Sequence, residues 1–343
     1  MTTGNRSPSQ ASRAQGALTG LCIGDALAMP VHWYYDRRAL FRDYGRVQDF
    51  LKPRNPHPDS ILWRSRYTPS SRKTDILHDQ AQYWGQRGIH YHQFLEPGEN
   101  TLNVQLCRLL MESLHEKGCY DPKDYLERYI HFMTTPGMHR DTYIEECHRA
   151  FFQRYGRGIP PERCGTEEKH IGGLPGVVPL GVFYRNDPRE AMDAALTHLA
   201  LTHKGTLMEA AGRLVVELLL GTLEGGHLGE LILQAVSRRQ SPFLTHPFRR
   251  WLDLADETVV GEILSSACYV DQSVPTVLYL AMKYADRPEE GLIANTNLGG
   301  DNAYRGAVLG ALLGAANGME GFPRRWIDGL LFPPSSSIPS LFG

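Results

Sequence analysis

Glycine recurs at every fourth position in two segments near opposite ends of the 343-residue chain. The glycines are Gly16, Gly20 and Gly24 in the first segment and Gly306, Gly310, Gly314 and Gly318 in the second. Because four residues make about one helical turn, each set lies along one face of a helix. Each glycine costs a helix about 0.8–1 kcal/mol relative to alanine, so such a face is tolerated only where another backbone approaches closely. We therefore expect the two ends of the chain to share one core.

Hydrophobic periodicity elsewhere is also helical. In 101–114, leucines follow one another at three- and four-residue steps, which places them on one helix face. Similar patterns predict helices at 141–154, 188–201, 205–223, 257–268, 273–285 and 301–317. Sustained period-two alternation is missing from the sequence, so the predicted fold class is all-α, a single compact multi-helix domain. We place this domain at 11–332, after a disordered N-terminus (1–10) and before a Pro/Ser-rich C-terminal tail (333–343).

The segment 36–75 has no sustained period and carries four prolines, together with Arg and Ser clusters. It is predicted to be a long loop. Long loops inside compact domains are usually lids or binding segments. A disordered surface insertion is an equally good interpretation of this composition.

The charge balance argues against polyanionic partners. The sequence has 36 Lys and Arg residues and 38 Asp and Glu residues. The resulting net charge of −2 provides no positive field that would attract nucleic acid or an anionic membrane. The sequence has no run of about 18 uncharged apolar residues that would span a membrane. Its six cysteines form no CxxC pair, which favours a reducing compartment. We expect a cytoplasmic protein with no nucleic-acid or membrane partner.

Three acids stand at the ends of the predicted helices. Asp25 closes the first glycine segment, Asp301 follows two consecutive glycines, and Glu99 precedes the helix that begins near Thr101. Glu99 and Asp301 could cap free backbone N–H groups at these helix starts. Carboxylate oxygens are also the ligands that Mg²⁺ and Ca²⁺ prefer. The sequence leaves both interpretations open.

Five sequence blocks then occur in a recognisable order. They are GALTGLCIGDALAMP (16–30), GENT (98–101), GGLPGVVPLGV (172–182), LTHKGTLMEAAGRLVVELLLG (201–221) and NLGGDNAYRGAVLGALLGA (297–315). In this order the chain resembles the ADP-ribosylglycohydrolases. That family includes the dinitrogenase-reductase-activating glycohydrolase, the ADP-ribosylarginine hydrolases and proteins related to the J1 crystallins.

The resemblance implies a metal site, but the metal motifs differ here. The family binds two Mg²⁺ ions through its TDDT and GGDTDT motifs. The matching positions in this sequence are Gly98, Glu99, Asn100, Asp301, Ala303 and Tyr304. Two acids remain, which is too little negative charge to hold two dications. The resemblance therefore implies at most one Mg²⁺, held by Glu99 and Asp301.

The resemblance also implies an activity, the hydrolysis of a ribosyl glycosidic bond in a small-molecule or protein-linked ADP-ribose-type ligand. Glu99 is predicted as a metal ligand or base and Asp25 as an orienting residue. His32, which stands where family members often have an acid, is predicted as a general base or as a contact to the leaving group. Predicted substrate-binding residues are Gly172, Gly173, Gly176, Val177, Asn100, Asn302, Tyr304 and His203.

Other interpretations of these residues remain. A lone histidine such as His32, between Val31 and Trp33, is often a structural residue. His90 and His92 would share one face only in an extended segment, so a transition-metal site there is disfavoured. The loss of family acids also favours a catalytically inactive member, which would be a nucleotide-sugar binding protein or a crystallin-like structural protein.

Overall fold

Nearly all regular structure in the protein is helical. A computed structural model describes residues 8–238 and 241–334. Its α-helices are α1 (Gln10–Ala28), α2 (Arg37–Tyr44), α3 (Leu102–Lys117), α4 (Pro122–Thr134), α5 (Glu146–Gly156), α6 (Val177–Phe183), α7 (Pro188–Leu199), α8 (Thr206–Leu223), α9 (Leu228–Arg238), α10 (Phe248–Trp251), α11 (Asp256–Val259), α12 (Val270–Lys283), α13 (Pro288–Asn297), α14 (Asn302–Asn317) and α15 (Arg324–Ile327). Two short parallel strands, β1 (Thr166–Glu167) and β2 (His203–Lys204), pair with each other. The predicted all-α class is confirmed.

The two glycine faces pack directly against each other. Backbone contacts pair Gly16 with Gly314, Gly20 with Gly310 and Gly24 with Gly306, so α1 and α14 run antiparallel. A Cβ added to Gly20 would lie 2.7 Å from the carbonyl carbon of Gly310 and closer still to its oxygen. This distance is well inside van der Waals contact. The first and last long helices therefore form one compact core, as the glycine spacing predicts.

This pairing brings the C-terminal end of α1 to the N-terminal end of α14. The chain leaving α1 continues through a 3₁₀ turn, Met29–Val31, and then bonds to the segment before α14. The Trp33 amide donates to the Gly300 carbonyl at 2.8 Å, and the Gly300 amide donates to the Tyr34 carbonyl at 2.7 Å. Residues 32–34 are thus fixed beside Asp301.

Two predicted helices are shorter than their periodicity suggested. The predicted helix 141–154 begins only at Glu146, because Asp141 turns its carboxylate to the start of α3 instead of continuing a helix. The predicted helix 257–268 survives only as α11. Gly261 breaks it, since its φ of 135° is incompatible with an α-helix. The irregular stretch before α5 carries side chains of the candidate site, Asp141 and Glu145.

The segment 36–75, predicted as a loop, contains α2 and is otherwise mostly irregular. Parts of it are buried, including His57 and Leu62. Of the predicted N-terminal disorder and C-terminal tail, residues 1–7 and 335–343 lie outside the described residues, and α1 already begins at Gln10. In the part of the chain that is described, every helix is too short or too polar to cross a membrane.

Candidate active site

Asp25 joins α1 to the start of α3. Its carboxylate accepts hydrogen bonds from the Thr101 amide at 2.8 Å, the Thr101 hydroxyl at 2.6 Å and the Asn100 side-chain amide at 2.9 Å. Burial raises the pKa of Asp25 to about 6, although these hydrogen bonds oppose the rise. Asp25 is therefore a positioning residue that holds the GENT segment against α1.

Glu99 faces away from this junction. Its Oε2 atom pairs with the Arg140 guanidinium and accepts a hydrogen bond from the Glu96 amide at 2.9 Å. The first free amide of α3, that of Leu102, donates instead to Asp141 Oδ2 at 2.5 Å. The capping acid of α3 is thus Asp141, and the interpretation of Glu99 as its cap is wrong.

Four buried side chains form a continuous hydrogen-bonded chain from α3 to α14, here called the relay (Asp141, His92, His32 and Asp301). Asp141 Oδ1 pairs with His92 Nδ1. His92 Nε2 lies 2.8 Å from His32 Nδ1, and His32 Nε2 lies 3.2 Å from Asp301 Oδ1. The four side chains are at most 4% exposed. The relay connects the two helix starts that carry the family-like motifs.

The number of protons in the relay follows from its geometry. Three hydrogen bonds join two carboxylates and two imidazoles, and each needs one proton. Two neutral imidazoles supply two protons, so a third is bound and the relay carries a net charge of −1. Burial lowers the pKa of His32, while its hydrogen bond to the Asp301 carboxylate opposes this.

Asp301 has an unused oxygen. It is the N-cap residue of α14, but its side chain caps no backbone amide, so the capping interpretation is wrong. Oδ1 bonds to His32, and Oδ2 has no hydrogen-bond partner among the described residues although it is buried. The side-chain oxygen of Asn302 is also buried and has no hydrogen-bond partner among the described residues. Buried acceptors are normally paired, so two adjacent unpaired oxygens mark a place for ligand hydroxyls or water.

Two further groups surround Asp301. Glu145 is buried and accepts a hydrogen bond from the Asn103 side-chain amide at 2.6 Å. Burial and the nearby Asp301 charge raise the pKa of Glu145 to about 8. Tyr304 packs edge-on to His32, with ring centroids 4.9 Å apart. Burial raises the pKa of Tyr304, and the surrounding acids Glu145, Asp301, Asp141 and Asp25 add to the rise. The site is a buried cluster of several carboxyl groups in a low-dielectric environment.

Comparisons with known proteins identify the family of this chain. A model of the ADP-ribosylglycohydrolase family matches residues 6–341. The chain belongs to this family. An uncharacterized protein of Archaeoglobus fulgidus is 26% identical over 324 residues, covering 92% of this chain and 90% of the relative. The ADP-ribosyl-[dinitrogen reductase] glycohydrolase of Rhodospirillum rubrum is 23% identical over 323 residues, covering 94% of this chain and 92% of that enzyme.

A solved structure shares the fold. It is described as an ADP-ribosylglycohydrolase-related protein complex, with 24% identity, a TM-score of 0.66 and coverage of 97% of both chains. At the level of the family, the chain stands among hydrolases that act on ADP-ribose-type substrates.

The side chains at the family's metal-binding positions do not form a two-metal site in this chain. Glu99 is neutralised by Arg140, the Asn100 amide donates to Cys22 and Asp25, and Ala303 offers no ligand atom. Of the two acids at these positions, Glu99 is paired with Arg140, and Asp301 alone carries too little negative charge to hold two dications.

One other group of ligand types occurs among the described residues. The ligand atoms of Glu145, Cys147 and His148 lie within 4.8 Å of one another. The His148 nitrogens are both in use, with Nδ1 bonded to the Tyr129 hydroxyl at 2.8 Å and Nε2 to Asn103 Oδ1 at 2.9 Å. A metal would have to displace these hydrogen bonds, so the group as it stands does not fit one.

The glycine loop predicted to bind substrate is packed against protein side chains. A Cβ on Gly172 would lie 2.7 Å from Glu145 Oε2, and one on Gly173 would lie 2.6 Å from the His203 ring. The cavity beside them is only about 30 Å³, which suits a water molecule rather than a diphosphate. Val177 is fully buried, and Gly176 packs near His198. A pyrophosphate would require these side chains to move.

Sequence patterns do not reveal most of the relay. They present His92 only as a candidate metal ligand, and they place Asp141 and the nearby Glu145 inside a predicted helix. The available signal was the irregular stretch before α5, where several polar residues interrupt the apolar period. Of the predicted residues, the structure joins His32 to Asp301 and Asp25 to Asn100, and it places Tyr304 beside His32.

Proposed function

We propose that this protein hydrolyses the ribosyl glycosidic bond of an ADP-ribose-type substrate, using its own side chains for acid–base catalysis. The observation that carries the proposal is the relay that ends at the unpaired Oδ2 of Asp301. Cleavage at an anomeric carbon passes through an oxocarbenium-like transition state. A pocket with a net negative relay and a free carboxylate oxygen stabilises that positive charge and holds ribose hydroxyls.

The acid and the base of the proposed reaction have different environments. Asp301 Oδ1 stays bonded to His32, and the unpaired Oδ2 is the atom that can accept a proton from an attacking water. Glu145, whose pKa is raised to about 8, carries a proton at neutral pH and can give it to the leaving group. Paired titratable groups with separated pKa values are typical of hydrolytic sites. Asp25 positions the α3 end of this pocket and takes no part in proton transfer.

Trp33 supports the idea that this region is functional. Its φ of 64° lies in the left-handed region, which is a strained conformation for a large aromatic residue. The conformation is held by the bond to Gly300 and by packing against His32, Tyr91 and Tyr143. These contacts keep the turn after α1 against Asp301, where the ribose would bind.

The proposal is tested by incubating the full chain with peptides that carry ADP-ribosyl-arginine or ADP-ribosyl-serine and measuring free ADP-ribose by chromatography. We expect release from one of these linkages, and a fall of roughly 100-fold or more in Glu145→Gln, because removing a positioned general acid costs about that factor. Glu146→Gln, at the exposed neighbouring position, is the matched control and should keep the wild-type rate.

Two outcomes would overturn the catalytic proposal. If no linkage is cleaved but ADP-ribose raises the melting temperature, the protein is a nucleotide-sugar binding protein. If neither is seen, the scaffold has a structural role of the crystallin kind. The replacement of family ligands by Asn100 and Ala303 is the observation that would then account for the lost activity.

A further inference from the structure

Arg305 is a buried cation on α14, four residues after Asp301. The residue is 0% exposed, and its hydrogen bonds among the described residues go to neutral oxygen atoms. Nε donates to Asn295 Oδ1 at 2.7 Å, and Nη2 donates to the Gly299 carbonyl at 2.9 Å and to the Asn295 carbonyl at 3.3 Å. Nη1 is buried as well and has no hydrogen-bond partner among the described residues. A buried charge is costly unless an opposite charge lies nearby, so the compensating charge must come from a neighbouring group.

The relay supplies that opposite charge. Its three hydrogen bonds leave it with a net charge of −1, and its last member, Asp301, lies about one helical turn before Arg305. Burial lowers the pKa of Arg305 to about 10, and the Asp301 charge opposes the fall, so the guanidinium stays protonated at neutral pH. The charges of the relay and the guanidinium therefore sum to zero, as a low-dielectric interior favours.

Arg305 and Asn295 together hold the backbone on both sides of Asp301. On the N-terminal side, Arg305 Nη2 bonds to the Gly299 carbonyl, and on the C-terminal side, Asn295 Nδ2 donates to the Asn302 carbonyl at 2.8 Å. The bond between Arg305 Nε and Asn295 Oδ1 joins these two side chains into one unit. Gly299 has a φ of 68°, and because glycine is free to adopt many other conformations, the loop depends on these bonds for its shape.

The same charge affects the metal site that the family resemblance implies. Gly299 is two residues before Asp301, so the guanidinium that bonds to it lies within about 10 Å of the Asp301 backbone. A divalent cation bound at Asp301 would be repelled by this charge, and the repulsion is strong in a low-dielectric interior. Because the Arg305 side chain is fully buried and remains charged at neutral pH, it cannot relieve the repulsion by moving into solvent or by losing its proton.

We propose that Arg305 is a positioning residue that holds Asp301 through the 299–302 loop, and that its fixed charge takes the place of the divalent cations that the family resemblance implies. The first part predicts that the loop loosens when the guanidinium is removed. The second part predicts that loss of the charge, and not of the hydrogen bonds, creates affinity for a divalent cation. Both parts can be tested without turnover, and only the effect on kcat rests on the proposed glycosidic activity.

Mn²⁺ binding, followed by the electron paramagnetic resonance signal of the free ion, tests the role of the charge. We expect Arg305→Met, which removes the charge but keeps an unbranched side chain, to bind one Mn²⁺ ion roughly tenfold or more tightly than wild type does. The gain should disappear in the double variant Arg305→Met, Asp301→Asn, which would place the ion at Asp301. Arg305→Lys keeps a positive charge and should bind no better than wild type. Arg324→Met, at an exposed position, is the matched control and should also bind like wild type.

Amide hydrogen exchange tests the positioning role. The Gly300 and Asp301 amides donate to backbone carbonyls outside the loop, at 2.7 and 3.0 Å. In both Arg305→Met and Arg305→Lys, neither of which can form the two-sided clamp, we expect these amides to exchange roughly tenfold faster than in wild type. In the ADP-ribose release assay, Arg305→Met should lower kcat roughly 100-fold with little change in KM, because Asp301 is then misplaced relative to a substrate that still binds.

The outcomes separate the two parts of the proposal. Equal Mn²⁺ binding by wild type and Arg305→Met would overturn the role of the charge, and so would tight Mn²⁺ binding by wild type that is lost in Asp301→Asn. The latter comparison needs no substitution of Arg305, so it decides the point even where the Arg305 variants do not fold. Unchanged exchange of the Gly300 and Asp301 amides, or a wild-type kcat in Arg305→Met, would overturn the positioning role. If wild type releases no ADP-ribose, the proposed function fails, and the Mn²⁺ and exchange measurements still decide the present proposal.

Discussion

Replacing Gly20 by alanine tests the helix contact on which the site depends. The added Cβ would lie 2.7 Å from the carbonyl carbon of Gly310 and 2.8 Å from Cζ of Phe322. Ordinary contacts of a methyl carbon need about 3.2–3.5 Å, and the Gly310 oxygen lies closer still to the added Cβ, so α1 and α14 must separate by about 1 Å. Overpacking usually costs about 1–3 kcal/mol and sometimes more, and here the main obstacle is backbone that cannot change rotamer.

The expected loss follows from these contributions. The gain in helix propensity from alanine, about 1 kcal/mol, offsets only part of the strain. We expect a net loss of about 2 kcal/mol in the free energy of unfolding, which is the upper end of the overpacking range less the gain in helix propensity. With an unfolding entropy of about 2 cal/mol/K per residue, this lowers the melting temperature by roughly 3 °C.

The assay is thermal unfolding followed by circular dichroism or calorimetry, with Gly229→Ala as the matched control. Gly229 is also helical, but its added Cβ would meet only the His227 imidazole, at 3.3 Å. The control should change the free energy of unfolding by less than about 1 kcal/mol. A Gly20→Ala melting temperature equal to or above that of the wild type would refute the close backbone packing.

Three other predictions concern the site. Glu145→Gln should become more stable relative to wild type as pH rises. The wild-type carboxyl has a folded pKa of about 8 and loses its proton at lower pH when unfolded, so wild-type stability falls as pH rises towards 8. Melting curves should show that the stability of Glu145→Gln relative to wild type is about 2–4 kcal/mol higher at pH 9 than at pH 5. An equal stability difference at the two pH values would contradict the burial of Glu145. Glu99→Gln should change ADP-ribose release less than about fivefold, because the Glu99 carboxylate is paired with a half-exposed Arg140; a larger loss would restore Glu99 as ligand or base. Asp141→Asn should lower kcat about tenfold or more with little change in KM, since it alters the relay at the end remote from substrate; a change in KM alone would place Asp141 in binding instead.

The sequence predicts the parts of the fold that depend on local period. The glycine spacing of α1 and α14 and the leucine spacing of α3 each require one particular helix face to be buried, so these elements and their contact follow from residue order. Asp25 and Asp301 stand at the ends of these helices, and for that reason they too can be found from the sequence.

The relay could not be predicted in the same way. Asp141 and His92 lie in irregular segments whose positions depend on long-range hydrogen bonds, namely the bond from Leu102 to Asp141 and the bond between the two histidines. The helical periodicity of 141–154 includes residues that are irregular in the structure, because α5 begins only at Glu146. The apolar pattern likewise predicts a helix as far as Cys268, although Gly261 has a φ that is incompatible with one. Polar contacts between segments distant in sequence leave no periodic pattern, so only the assembled structure shows them.

The central claim is that the relay and its free carboxylate oxygen, rather than a pair of metal ions, carry the hydrolysis. The most direct measurement is ADP-ribose release by wild type and Asp301→Asn, each with excess chelator and with added Mg²⁺, alongside Asp328→Asn at an exposed position. We predict that wild type and Asp328→Asn keep their rate in chelator, while Asp301→Asn loses roughly 100-fold or more at an unchanged melting temperature. A wild-type rate abolished by chelator and restored by Mg²⁺, or full activity in Asp301→Asn, would contradict it.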